Sequence, residues 1–266
     1  MKKSEKEYQD QKDLRERQES AVLHRVLLWL CVTVILEAYV LLTNRFYFAR
    51  RVGELDMLPT IERALQISQF VFLGLCILFG VWAILASKKN PGRGVTRSIV
   101  AAMFGAAAVC SFLFLRTAES SVTVLQVAIP VAGVLILIYY LYQKEFFLLS
   151  ALSTLGIFGL WLFRAWRIPH PAVFFGYLIV TLILVAACAF LLNTLRKNDG
   201  TISIGGKPRL LFQKDAAYSP AFFTCALVAV LMLIPLVAGN VFAYYAIFAL
   251  IIWIFIMAVY FTAKLM

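Results

Sequence analysis

The chain has 266 residues, of which 62% are apolar and 15% are charged, and its mean hydropathy is +0.87. Soluble domains are about 45–50% apolar and about 25% charged, and disordered chains combine low hydropathy with a high density of charge. Both classes are therefore excluded, which leaves a polytopic membrane protein. The formal charge of +11 comes from 25 basic and 14 acidic residues.

Eight apolar stretches are long enough to cross a membrane as helices. A hydrocarbon core about 30 Å thick requires about 20 such residues in a helix. The stretches are 23–43, 64–86, 98–115, 121–142, 146–163, 172–193, 220–238 and 241–263. Runs such as 241–263 do not alternate apolar and polar residues, as the strands of a membrane barrel do. The predicted fold class is therefore all-α, a polytopic helical membrane protein with about eight transmembrane helices.

Two helix boundaries are predicted inside longer apolar runs. The run 121–163 is interrupted only by the polar tripeptide 143–145. At about 1.5 Å per residue, a single helix there would exceed about 60 Å, twice the thickness of the hydrocarbon core. We therefore predict a tight turn at 143–145, and the same argument predicts a second turn at Gly239 and Asn240.

The distribution of basic residues predicts the orientation. With the N-terminus in the cytoplasm, the cytoplasmic segments hold 18 of the 25 basic residues and the external segments hold 7. This excess follows the positive-inside rule, from which only Arg50 and Arg51 depart locally. An even number of spans then places both termini in the cytoplasm. None of the asparagines begins a glycosylation sequon, which fits a bacterial cytoplasmic membrane.

The N-terminal segment 1–22 is polar and carries many charges of both signs. Residues 1–25 contain seven basic and six acidic residues. A signal peptide instead has a short basic region followed directly by an apolar core, so this segment does not match one. Ser4 and Glu7 fit a capping box, so we predict a charged cytosolic helix that continues into the first span. It docks a protein partner or is simply solvated, and the absence of an apolar heptad favours solvation.

Polar residues inside the predicted spans define a candidate vestibule. Its members are Glu37, Gln66, Gln69 and Gln126. Glu37 is the only acidic residue inside a predicted span, where a carboxylate costs about 2.5–3.5 kcal/mol on insertion scales. Three helices place a long polar side chain about 7–9 Å below their outer ends. These side chains either line an outward-facing vestibule that binds a cation or proton, or serve as structural hydrogen-bonding groups between helices.

Two sets of basic residues flank the spans. The predicted outer rim consists of Arg116, Arg164, Arg167 and His170. The predicted inner set lies in the connection 194–219 and consists of Arg196, Lys197, Lys207, Arg209 and Lys214. Part of the rim would form a phosphate-binding patch, unless its arginines are ordinary interfacial anchors. The inner set would contact anionic lipid or a protein partner, although the positive-inside rule alone also places basic residues there.

Two further patterns concern the organisation of the membrane domain, 23–266. Within the connection 194–219, residues 201–212 read as a β-hairpin with a glycine pair at its turn. Similar basic strings follow the second span of each half, 22–142 and 145–263, which suggests a parallel repeat of four spans. Small residues are frequent in the second and third spans, so we expect these spans to be central helices.

The sequence contains no motif that announces a reaction. The five cysteines lie singly in predicted spans, the two histidines lie at opposite faces of the membrane, and the common hydrolase and nucleotide-binding motifs are missing. We therefore predict no catalytic residue, metal, cofactor or nucleic-acid partner. The predicted role is that of a non-enzymatic membrane subunit, accessory or scaffold protein that binds a partner through 1–22 and 194–219. The alternative is a small-solute or ion transporter with a vestibule around Glu37.

Overall fold

The computed structural model describes residues 2–48, 58–89, 91–117, 119–166, 171–198, 201–204, 207–210 and 218–265. These ranges contain eight long helices: α1 Lys2–Thr43, α2 Leu58–Lys89, α3 Pro91–Thr117, α4 Glu119–Leu141, α5 Lys144–Trp166, α6 Pro171–Lys197, α7 Tyr218–Ala238 and α8 Asn240–Leu265. A short π-helical segment, Asn44–Phe48, continues α1. All eight helices contain a window long and apolar enough to cross a membrane. The predicted fold class is confirmed.

Both predicted turns separate adjacent helices. α4 ends at Leu141 and α5 begins at Lys144, while α7 ends at Ala238 and α8 begins at Asn240. Between α7 and α8, Gly239 has φ of 86°, a left-handed conformation that glycine adopts without a steric penalty. Such a residue is a common end to a helix.

Several helices extend beyond the apolar stretches that predict them. α3 begins at Pro91 rather than at residue 98, and α6 continues to Lys197 rather than ending at residue 193. Hydropathy marks only the part of a helix that lies in hydrocarbon, whereas backbone hydrogen bonding continues into the polar interface. Proline also fits the first helical position, because the N–H that it lacks has no partner there.

The chain divides into two compact units, Met1–Tyr140 and Leu141–Met266. The division falls beside the position at which the sequence separates the first four spans from the last four. The duplication that would relate the two halves stays a prediction.

In the first unit, α2 and α3 approach each other closely through small residues. A Cβ added at Gly105 would lie 3.2 Å from the Cys76 sulfur, and one at Gly94 would lie 2.9 Å from the Ser87 backbone. However, only 11% of the apolar window of α2 is buried, against 39% for α3. Within the first unit, α3 is therefore more deeply buried than α2, and the prediction that both are central helices of the membrane domain stays a prediction.

α1 and α4 complete the packing of the first unit. Leu36 and Val40 of α1 belong to two apolar clusters that also contain residues of α3. Thr33 precedes Val40 by two helical turns and therefore lies on the same side of α1. A Cβ added at Gly133 of α4 would lie 2.9 Å from the Thr33 hydroxyl oxygen. A side chain at residue 133 would therefore hold α1 and α4 apart.

In the second unit, α5 is the central helix and contacts α6, α7 and α8. Its apolar window is 56% buried. A Cβ at Gly156 would lie 3.0 Å from Val228 of α7 and 3.1 Å from Leu250 of α8. Glycine lets helix backbones approach closely, so this residue allows two neighbours to pack against the same turn of α5.

A short hairpin occupies part of the connection between α6 and α7. Strands β1, Thr201–Ile204, and β2, Lys207–Leu210, pair antiparallel, in the segment where the sequence predicts a hairpin. Pro208 lies opposite Ser203, which is tolerated because both strands of a two-stranded ribbon are edge strands. The Thr201 hydroxyl donates to the Asn198 carbonyl at 2.7 Å and ties the hairpin to the end of α6.

Candidate functional site

Glu37 lies on α1 within the candidate span Ser20–Tyr47. One of its carboxylate oxygens, Oε2, is buried and has no hydrogen-bond partner among the described residues. The neighbours of Glu37 on α1, Leu36 and Val40, pack against residues of α3. Glu37 also follows Thr33 by one helical turn, so it lies on the side of α1 that faces α4. The structure therefore places this carboxyl group where α1 meets α3 and α4.

Hydroxyl groups connect α1, α2 and α3 beside this position. The Tyr39 hydroxyl lies 2.7 Å from Ser111 Oγ, and Ser68 Oγ lies 3.4 Å from the same atom. Ser111 is fully buried and donates its single proton to the Ala107 carbonyl at 2.9 Å. The Tyr39 hydroxyl is therefore the donor in its bond to Ser111. Sequence reasoning missed this cluster because no spacing pattern links residues on three different helices.

A first groove lies between α2 and α3, with a volume of about 440 Å³. Its lining residues are Glu62, Gln66, Gln69, Phe70, Phe112, Leu115 and Arg116. The structure thus brings two predicted vestibule residues, Gln66 and Gln69, together with one predicted rim residue, Arg116. Glu37 and Gln126 are not among the lining residues.

Glu62 adds to the first groove a carboxylate that the sequence analysis left out. It precedes Gln66 by four residues, so the two share one face of α2. This spacing is the signal that would have placed Glu62 in the site. The Arg116 guanidinium lies 5.6 Å from the centroid of the Phe112 ring. The lining of this groove therefore includes an acidic and a basic side chain, two amides and two aromatic rings.

A second groove, of about 650 Å³, lies between the end of α5 and the beginning of α8. Its lining residues are Trp161, Arg164, Ala165, Asn240, Val241, Tyr244 and Tyr245. The Arg164 guanidinium lies 5.0 Å from the centroid of the Tyr244 ring, within the range of a cation–π interaction. This end of the second unit, where α5 ends and α8 begins, is called the Arg164 end below.

The other predicted basic residues have different surroundings. Arg167, His170 and Lys214 lie outside the described residues. Arg196 and Lys197 are exposed at the end of α6, and β2 contains Lys207 and Arg209. The described members of the inner set therefore belong to the end of α6 and the adjoining hairpin.

A buried carboxylate that the sequence analysis did not select is found in α5. Glu145 is only 5% exposed and lies in the first turn of this helix. An acidic side chain is favoured there because the amide end of a helix carries partial positive charge. The sequence analysis placed Glu145 in the turn between two spans, since hydropathy shows where an apolar run is interrupted but not which helix packs over the interruption.

The eight apolar helices define the class to which the chain belongs, a multi-pass membrane protein. Among the described residues, no group of three or more His, Cys, Asp or Glu side chains is placed to hold a metal ion. No protein-family model matches the chain, and no curated protein and no solved structure matches it. Its role is therefore argued from its own residues.

Proposed function

We propose that the protein is a non-enzymatic subunit, accessory protein or scaffold of a membrane assembly. The observation that carries this proposal is the length of α1, a single helix from Lys2 to Thr43. Its candidate span begins at Ser20, so helical residues 2–19 precede the span. At about 1.5 Å per residue, this segment adds about 27 Å to the helix.

The composition of 2–19 indicates the kind of partner. The segment contains six basic and six acidic residues, and charged side chains are costly in hydrocarbon, so it belongs outside the lipid core. It lacks the apolar repeat of a coiled coil. A protein partner would therefore recognise it through complementary charges, which steer association and fix register.

Photo-crosslinking in native membranes tests this proposal. A photoreactive amino acid replaces Tyr8 in the full-length chain, and as a matched control it replaces Tyr139, an exposed aromatic residue of α4. We expect the probe at residue 8 to crosslink one other protein in high yield and the probe at residue 139 not to do so. Deletion of 2–19 should release that protein from the purified chain. A chain that forms no protein crosslink at residue 8 and purifies alone contradicts the proposal.

We further propose that both termini face the cytoplasm of a bacterial cell. The support is the count of basic residues, 18 in the segments assigned to the cytoplasm against 7 in the others. A fluorescent protein fused to the C-terminus should then fold and fluoresce, and an alkaline phosphatase fused there should be inactive. The opposite result would reverse the orientation and place 2–19 outside the cell.

Transport is a second candidate function, which we propose on the position of Glu37. A carboxyl oxygen that is buried inside a candidate span without a hydrogen-bond partner among the described residues is a position for a proton or cation. Proteoliposomes with an imposed membrane potential test this with H⁺, Na⁺ and K⁺ as probes. Transport predicts a flux above that of protein-free liposomes, which Glu37→Gln abolishes. The control Cys31→Ser, at an exposed residue of the same helix, should leave the flux intact. An unchanged flux in Glu37→Gln contradicts this role.

A further inference from the structure

Among the described residues of the second unit, Glu145 is the only acidic residue, and it lies at the opposite end of α5 from Arg164. Glu145 lies in the first turn of α5 and Arg164 in its last turn, so the two are separated by about 28 Å along the helix axis.

In the part of the second unit that the structure describes, no carboxylate therefore lies at the Arg164 end. The second groove offers it an aromatic ring, Tyr244, and the neutral polar groups of Asn240 and Tyr245. The Tyr244 ring is held edge-on against Phe248, with the centroids 4.9 Å apart. The guanidinium is thus positioned over a fixed ring in a groove whose lining contains no negative charge. A planar guanidinium with several donors is suited to binding an oxyanion such as phosphate.

The position of the groove indicates where the oxyanion comes from. The candidate spans Lys144–Ala165 and Asn240–Lys264 meet this groove at their ends, at the level where tryptophan and tyrosine gather beside lipid headgroups. An exposed apolar stripe on α8 leads away from the groove toward the middle of the helix. It consists of Val241, Tyr245, Phe248, Ile252 and Phe255, which recur at steps of four and three residues and so share one helix face.

We propose that the second groove binds the phosphate headgroup of an anionic phospholipid. Arg164 contacts the phosphate, the aromatic side chains frame it, and the acyl chains lie along the apolar stripe of α8. A soluble phosphate compound would use only the polar part of this surface, whereas a lipid uses both parts. The assignment is independent of the N-terminal segment on which the proposed role in an assembly depends.

Native mass spectrometry of the full-length protein in mild detergent tests the proposal. The probes are phosphatidylglycerol and phosphatidylcholine with identical acyl chains, added in equal amounts. We expect one phosphatidylglycerol to be retained per chain in preference to phosphatidylcholine. Arg164 is exposed, so Arg164→Gln should leave the fold intact, and it should weaken phosphatidylglycerol retention at least about fivefold, as expected for one basic residue at a membrane surface.

Arg116→Gln is the matched control. Arg116 also lies in the last turn of its helix and near an aromatic ring, but its groove already contains Glu62. Retention of phosphatidylglycerol should be unchanged in this variant. Equal losses in the two variants, or equal retention of the two lipids by the unchanged protein, would overturn the proposal. Displacement of the lipid by an equal concentration of glycerol 3-phosphate would also overturn it, because the occupant would then be a soluble phosphate compound.

Discussion

The two grooves place the same residue type in different electrostatic surroundings. Arg116 and Arg164 each lie in the last turn of a helix, and each guanidinium is near an aromatic ring. The first groove also contains the carboxylate of Glu62, whereas the lining of the second contains no acidic residue. An arginine at a helix end therefore shares its groove with a carboxylate in one case and with neutral groups alone in the other. From the sequence alone, both arginines are predicted to belong to a single basic rim.

Within the second unit, the central helix α5 and the more exposed α6 also differ in how closely they pack, and a glycine substitution should have the largest effect. A Cβ at Gly159 of α5 would overlap the end of Met232 and lie 2.9 Å from the Tyr177 ring. Gly159→Leu should therefore lower the free energy of unfolding by about 1–3 kcal/mol, the usual cost of overpacking. Unfolding by SDS in mixed micelles measures this change.

Gly176→Leu is the control, because a Cβ there meets nothing within 4 Å. Its free energy of unfolding should remain close to that of the unchanged protein. Equal stabilities for the two leucine variants would show that α5 is not tightly packed, and the distinction between a central helix and an exposed one would fail.

A single substitution should make the first groove resemble the second. Glu62→Gln removes the carboxylate that shares the groove with Arg116. The arginine would then attract an anionic headgroup, and retention of phosphatidylglycerol should rise by up to about fivefold. Native mass spectrometry measures the gain, which the double variant Glu62→Gln/Arg116→Gln should reverse. Unchanged retention in the single variant would mean that Glu62 does not offset the charge of Arg116.

The smallest effect is expected from the hydroxyl cluster of the first unit. Tyr39→Phe removes the 2.7 Å hydrogen bond to Ser111. Hydrogen bonds between membrane helices contribute about 0.6 kcal/mol on average and at most about 1.7 kcal/mol. The free energy of unfolding should therefore decrease by about 0.6–1.7 kcal/mol. Tyr245→Phe serves as the reference, because Tyr245 is largely exposed. A loss no greater than that of the reference would show that the bond contributes nothing to stability.

The eight spans and the two tight turns could be predicted from the sequence because bilayer thickness sets the length of an apolar helix. The shared face of Gln66 and Gln69 could also be predicted, since it depends only on spacing within one helix. The surroundings of Glu145 and the bond between Tyr39 and Ser111 could not, because both depend on which helices become neighbours. The lining of the second groove, which places Arg164 among neutral groups, could not be predicted either, because it depends on the contact between α5 and α8.

The single residue between α7 and α8 constrains how this pair enters the bilayer. Gly239 alone separates the two helices, so no loop exists there that could stay in water while one helix waits for the other. We therefore expect the two helices to enter the bilayer together as a hairpin. An epitope tag placed at residue 239 should block this step, whereas one placed between β1 and β2 would lengthen a connection that already lies outside the apolar helices.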